Sequence, residues 1–233
     1  MLHLEALEQA GLTVAAMSGI SDGDCSSRPE SRVARNGFLS NCGILPTRLA
    51  RARQVHGTAI HAVDAEYLRL FPESAPDGWP AGDGLVTNIP ELALGVSVAD
   101  CVPLWVFDPI RRALGVFHAG REGTVAGIAG AGVLAMAGRY GCMPADLICA
   151  VGPSAGPCCY EVSEAMAEAL KGRGFPVSGR NLDLWESNRR QLLESGVDAA
   201  RIFLTQQCTI CGSGFHSYRK SGTPLRNLAV GML

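Results

Sequence analysis

A single domain of buried strands with helices at its periphery is what this sequence predicts, on three observations. The chain has 233 residues, 47% of them hydrophobic, and no compositionally extreme segment, so it is long enough to bury one substantial core. Short apolar runs rich in Val, Leu and Phe at 92–99, 102–107 and 113–117 are separated by Asp or Pro, the pattern of successive core strands. Ser163 and Asp183 stand as caps ahead of two amphipathic segments, ending near Lys171 and Ser195, that read as peripheral helices.

Taken in order, the first fifty residues are polar and turn-rich, with one short strand expected at 12–17. Residues 51–63 read as a strand broken near Gly57, and 71–83, dense in Pro and Gly, as an exposed loop. After the three core strands, Gly120 to Gly123 makes a turn and Thr124 is placed to cap a small-residue helix running to about Tyr140. A buried strand at 146–151 enters a loop of Gly, Pro and Cys at 152–160, and 202–206 reads as the last strand. No repeat or linker suggests a second domain.

Charge and cysteine content narrow the function classes. Twenty Lys and Arg against twenty-two Asp and Glu leave a formal charge of -2, and no basic run forms the stripe that a phosphate backbone needs, so nucleic acid is excluded as a partner. Glu5 and Glu8 stand where an export signal requires basic and apolar residues, and the least polar stretch, 125–137, is shorter than the roughly 20 residues that span a bilayer. A cytoplasmic protein without a membrane partner is expected. Nine cysteines, an odd number in a chain of this size, point to reduced thiols, a few of them serving metal or catalysis.

The candidate chemistry rests on His56, Cys101 and His118, each at the end of an expected core strand beside a small residue or an acid. Singly, Cys101 is equally an inert core thiol, and either histidine can satisfy a buried carbonyl. Together, one thiolate and two imidazoles make three ligands with a fourth position open, the pattern of a catalytic zinc site that brings the pKa of bound water to about 7. Copper accepts the same ligands, and residue chemistry does not choose between the metals. Cys101 activated by His118 as the nucleophile of a cysteine hydrolase, and a non-enzymatic binding module, are further alternatives. The 120–124 turn is a weak anion site. Cys208-x-x-Cys211 has only Cys158-Cys159 as a second pair, at the wrong spacing for zinc, so packing or loop thiols are expected there. Glu161 is the best acid for proton transfer or for orienting a ligand, with a surface carboxylate as the plain alternative.

In the order Gln54-Val-His-Gly, Asp83-Gly-Leu-Val-Thr-Asn, Ala99-Asp-Cys-Val-Pro, His118-Ala-Gly, the 152–162 segment, Leu182-Asp-Leu-Trp-Glu-Ser-Asn-Arg and Ser217-Tyr-Arg, the motifs from residue 51 onward resemble the laccase-domain family. This family is also called multi-copper polyphenol oxidoreductase or purine nucleoside phosphorylase. The resemblance implies an α+β fold with mixed sheets packed together and helices outside, and a zinc-type metal on His56, Cys101 and His118. It further implies purine nucleosides and phosphate as substrates: phosphorolysis of adenosine, inosine, guanosine or methylthioadenosine, and hydrolytic deamination of adenosine. The family's older name carries the alternative of a copper polyphenol oxidase, against which a total of five histidines argues. Two departures stand out. Arg121-Glu122-Gly123 replaces the family's Trp-Arg-Gly, and Ser18-Gly-Ile-Ser-Asp-Gly-Asp replaces an N-terminal loop carrying Ser-Thr-Arg. Weak phosphate binding follows if that loop arginine holds phosphate, with Arg121 and Arg219 the candidates to compensate.

Overall fold

The computed structural model describes residues 1–72 and 78–233. Along the chain come β1 (Leu2–His3), α1 (Glu5–Gln9), β2 (Val14–Met17), α2 (Arg32–Asn41), β3 (Leu49–Ala50), β4 (Ile60–Ala62), α3 (Ala65–Leu70), β5 (Gly84–Thr87), β6 (Ala93–Val98), β7 (Val102–Asp108) and β8 (Ala113–Ala119). There follow α4 (Arg121–Val125), α5 (Ile128–Tyr140), β9 (Ile148–Val151), α6 (Glu164–Gly172), β10 (Val177–Ser178), β11 (Asn181–Leu182), α7 (Leu184–Glu194), β12 (Ile202–Leu204), α8 (Tyr218–Ser221) and β13 (Asn227–Met232). The architecture is α+β, as the resemblance implies.

Two mixed sheets carry it, one ordered β1-β2-β13-β6-β3 and the other β12-β9-β7-β8-β5-β4. They pack face to face because β7 and β8 are apolar on both sides, the mark of strands covered twice. Trp105, Phe107, Leu114 and Val116 point toward Leu94, Val96 and Ala229 of the other sheet, whereas Leu104, Val106 and Phe117 face the helical layer of Ile128, Val133 and Leu192. Trp105 joins the two layers by donating its indole N–H to the Val230 carbonyl (2.9 Å). On the far side of the five-stranded sheet α2 supplies Phe38 and Leu39 to a third cluster with Val14, Leu49 and Val230.

The apolar runs at 92–99, 102–107 and 113–117 form β6, β7 and β8, and the Ser163 and Asp183 caps accept from the backbone N–H groups of Met166 and Glu186. Three expectations change. Residues 51–57 form no strand, because the Asp83 carboxylate takes the N–H groups of Val55, His56 and Gly57 that a ladder would use. Thr124 lies inside α4 instead of capping the long helix; Gly127, at φ +91, separates α4 from α5. The last strand is β13, which pairs with both β2 and β6. Of the loop expected at 71–83, residues 73–77 lie outside the described residues, and Trp79 is buried.

Candidate metal centre

The three residues singled out in the sequence meet at the end of the six-stranded sheet. His118 is the penultimate residue of β8, Cys101 opens the path from the β6–β7 turn into β7, and His56 sits in the irregular segment held against β5. One ligand atom from each lies within 4.8 Å of the others. The two imidazole rings meet edge to face with centroids 4.9 Å apart. Gly120 closes the site from the α4 side: a Cβ there would stand 3.0 Å from His56 Cδ2 and 3.1 Å from Cys101 Sγ, so a larger residue would press on both ligand side chains.

Two buried aspartates hold this arrangement. Asp83, just before β5, is fully buried and accepts from the backbone N–H of His56 (2.9 Å) and Gly57 (2.7 Å) and from His118 Nδ1 (2.8 Å). Its own carbonyl accepts from the His118 N–H (2.7 Å). A carboxylate on Nδ1 fixes the tautomer that leaves Nε2 free for a ligand role, the usual support of a metal-binding histidine. Asp100 acts on Cys101 only through the chain, by anchoring the backbone beside it. It sits at φ +85, a strained conformation, with its carboxylate accepting from Thr209 Oγ1 (2.7 Å) and the Arg219 N–H (2.7 Å) and its carbonyl from the Ala155 N–H (2.9 Å). His56, at φ +62, is held in the left-handed region by Asp83.

The electrostatics match that reading. Burial opposes ionisation of Cys101, but the His118 charge and hydrogen bonds from both imidazoles outweigh it and bring the thiol down to about 6. Burial likewise opposes the His118 cation, yet the Cys101 thiolate and the Asp83 hydrogen bond push it up to about 9. For Asp83, burial is outweighed by the His118 and backbone N–H bonds, which hold its carboxyl below the usual range. The two opposite shifts, each caused chiefly by the other group, favour the thiolate–imidazolium form of the metal-free pair. Two imidazoles and a preformed thiolate, with one tautomer fixed, fit a zinc-type ion.

The centre forms one wall of a cavity of about 820 Å³. Arg28, Arg53, Arg121, Arg219 and Arg226 line it, together with Tyr160. Arg121 is neutralised by Glu122 and Arg28 by Asp24, whereas the guanidinium groups of Arg53, Arg219 and Arg226 have no carboxylate partner among the described residues. Arg219 lies over the Tyr160 ring, 4.8 Å from its centroid. The N-terminal segment brings Arg28 to the cavity, and Arg121 and Arg219 line it as well.

Other expectations move. Glu161 is exposed, ion-paired with Arg180, and contributes only its backbone carbonyl to Arg219; the acids at the centre are Asp83 and Asp100. The 120–124 turn is no anion cradle, since Thr124 is buried, accepts from Asn188 Nδ2 (3.1 Å) and faces the Ala119 carbonyl. Cys208 and Cys211 are not isolated loop thiols: Cys158 and Cys159 join them, with the four sulfurs within 4.8 Å of one another.

The profile of the family described as multi-copper polyphenol oxidoreductase laccase matches residues 11–232, extending the resemblance across β2 and α2. The chain is 36% identical over 188 residues to purine nucleoside phosphorylase YlmD of Geobacillus stearothermophilus, a match covering 76% of this chain and 69% of that protein. It is 32% identical over 220 residues to adenosine deaminase RL5 from an unknown prokaryotic organism, covering 89% and 84%. The crystal structure of the Bacillus licheniformis hypothetical protein YfiH superposes with a TM-score of 0.83 at 27% identity, covering 94% of this chain and 92% of that one. With nearly its whole length matched in sequence and in fold, the chain belongs to the multi-copper polyphenol oxidoreductase laccase family.

Proposed function

We propose that this chain is a zinc-dependent purine nucleoside enzyme, with the ion on His56, Cys101 and His118, acting by phosphorolysis of adenosine, inosine, guanosine or methylthioadenosine and by hydrolytic deamination of adenosine. The observation that carries the reading is the convergence of the three ligands, oriented by Asp83, on the wall of an arginine-lined cavity. The names of the relatives supply the substrate class. A bound zinc ion supplies Lewis acidity and activates water at neutral pH. The chain's own residues do the rest: Asp83 keeps His118 Nε2 turned to the centre, and Arg53, Arg219 and Arg226 offer uncompensated charge to phosphate. Tyr160 and Trp79 offer aromatic surface to a purine. The remaining histidines are engaged elsewhere, His3 with Glu8, His61 with the Ala81 carbonyl and His216 with that of Gly23. Two histidines at one centre suit a single ion better than a multi-copper array. Nine unpaired thiols suit the reducing cytoplasm, where we place the protein.

Zinc-loaded protein given adenosine is expected to form adenine and ribose 1-phosphate when phosphate is present, and inosine without it. Finding none of these products overturns the proposal. Within it, Arg53→Ala is expected to raise KM for phosphate about tenfold, in line with losing one charge-assisted hydrogen bond, while leaving deamination unchanged; parallel rate measurements with the two reactions check this. Zinc binding at this centre at pH 7 is expected to release about one proton, because Cys101 is already a thiolate whereas His118, at about 9, must give up the Nε2 proton. Calorimetry of the Cys158→Ser/Cys211→Ser protein, in which zinc loads this centre alone, in buffers of different ionisation enthalpy measures that number, which falls toward zero as pH rises past about 9.

One geometry favours a second reading. Cys101, His118 and Asp83 also have the order of a thiol–imidazole–carboxylate triad, with the thiol brought to about 6. Metal-free protein that keeps full activity and loses it on alkylation of Cys101 by iodoacetamide would establish a cysteine hydrolase instead; zinc protecting Cys101 from alkylation supports the metal centre.

A further inference from the structure

A second set of donors lies away from the histidines. Cys158 and Cys159 sit in the loop after β9, and Cys208 and Cys211 in the turn after β12. Because β9 and β12 are neighbouring parallel strands, paired from Cys149–Ile202 to Val151–Leu204, the two segments leave the sheet side by side. They stay joined beyond it: Ser154 bridges to Cys208, and the Thr209 N–H donates to the Ser154 carbonyl (2.9 Å). About fifty residues of sequence are closed into one cluster of four thiols.

The sulfur spacing is compatible with one shared ion. Zinc–sulfur bonds of about 2.3 Å place sulfurs at tetrahedral corners about 3.8 Å apart. Cys158 Sγ and Cys211 Sγ are 3.7 Å apart, and all four sulfurs fall within 4.8 Å of one another. Thiols this close leave no room for a cluster of several irons and sulfides, and a disulfide needs only two of them. Cys208-x-x-Cys211 has the spacing of a zinc knuckle, and the Gly156 N–H donates to Cys208 Sγ (3.3 Å), the kind of bond that supports a thiolate ligand. The adjacent Cys158-Cys159 pair is unusual in spacing alone, since the loop turns sharply there, with the N–H groups of Cys159 and Tyr160 both returning to the Gly156 carbonyl.

We propose that Cys158, Cys159, Cys208 and Cys211 bind a second, structural zinc ion that clamps the 152–160 loop to the 208–211 turn behind the cavity wall. What the clamp holds is specific. Tyr160, next to Cys159, lines the cavity beneath Arg219, and Thr209, next to Cys208, donates to the carboxylate of Asp100, which positions Cys101. Thiolate sets of this kind select zinc over harder ions.

The test is metal analysis of full-length reduced protein purified without chelator, and it is independent of nucleoside turnover. Wild-type protein is expected to carry about two zinc ions per chain, and both Cys101→Ala and Cys158→Ser/Cys211→Ser about one. Substitution with cobalt is expected to give the intense sulfur-to-cobalt charge transfer of a tetrathiolate in wild type and in Cys101→Ala, and to lose it in Cys158→Ser/Cys211→Ser. Should that double variant fail to fold, the spectrum of Cys101→Ala decides alone. Cobalt-loaded Cys101→Ala without a tetrathiolate spectrum overturns the proposal, as does rapid alkylation of all four thiols in native zinc-supplemented protein or their isolation as disulfides under reducing conditions.

Discussion

Cys101→Ala protein is expected to fold, to lose the ion at the histidine centre and to lose nucleoside turnover with it. Cys101 supplies the only anionic ligand of the three, and its thiolate is the largest influence raising His118. Removing it leaves two imidazoles, a pair with far lower affinity for zinc; the loss is expected to exceed the 10–100-fold typical of a missing supporting contact. The side chain is small and lies at the cavity wall, so little packing goes with it. His118 should also return toward its ordinary range once the thiolate is gone. Cys101→Ser puts a neutral hydroxyl in place of the thiolate and is expected to rescue little. Zinc content, kcat/KM for adenosine and Tm, measured together, separate the site from the fold. Turnover that persists in Cys101→Ala would sink the metal mechanism.

What could be read from the sequence follows from how local each signal is. β6, β7 and β8 announce themselves because strands covered on both faces are continuous apolar runs, and a helix cap is a local event within three residues. α2 was hidden because one flank is polar and its buried face includes Arg35 beside Phe38 and Leu39. β13, central to its sheet, has a local signal in the apolar run after Asn227, but that run is short and ends the sequence without a following turn to mark it as a strand. His56, Cys101 and His118 were legible as strand-end residues. The role of Asp83 was not: its partners stand 26 to 28 and 35 positions away, and only folding shows that a carboxylate replaces a strand ladder at 55–57. The cavity's arginines are scattered from 28 to 226, so a chain of formal charge -2 gives no hint of a basic pocket. The thiol cluster was misjudged for the same reason, spacing along the chain being a poor guide where parallel strands bring distant segments together.

Asp83→Ala is expected to be the most destabilising single change at the centre, and to act on both stability and metal affinity. It leaves the His118 Nδ1–H without its acceptor in a buried place, and takes from the N–H groups of Val55, His56 and Gly57, in a part-exposed segment, the carboxylate that fixes their conformation. An unpaired buried donor costs about 1–3 kcal/mol and loss of one partner of a buried charged pair about 3–5 kcal/mol, so a total near the upper of these ranges is expected. For a chain of this length that corresponds to a fall in Tm of roughly 10 °C or more. Asp83→Asn keeps the shape and one acceptor oxygen but turns an N–H₂ group toward other donors, so it is expected to lie between wild type and alanine. The sign of the pH dependence is fixed by the lowered carboxyl. Its stabilisation is fully present above the unfolded value of about 4 and is lost only as pH falls through the lower folded value. The gap in unfolding free energy between wild type and Asp83→Asn should therefore be widest at about pH 5 to 6, narrow below about 4 as the carboxyl is protonated, and narrow again as pH rises toward about 9, where His118 loses the proton that Asp83 stabilises. Because Asp83 also fixes the tautomer of His118 and the backbone of His56, zinc affinity should fall about 10–100-fold in Asp83→Asn with all three ligands intact. An Asp83→Asn protein with wild-type stability and wild-type zinc affinity would show that the ligands are positioned by something other than this carboxylate.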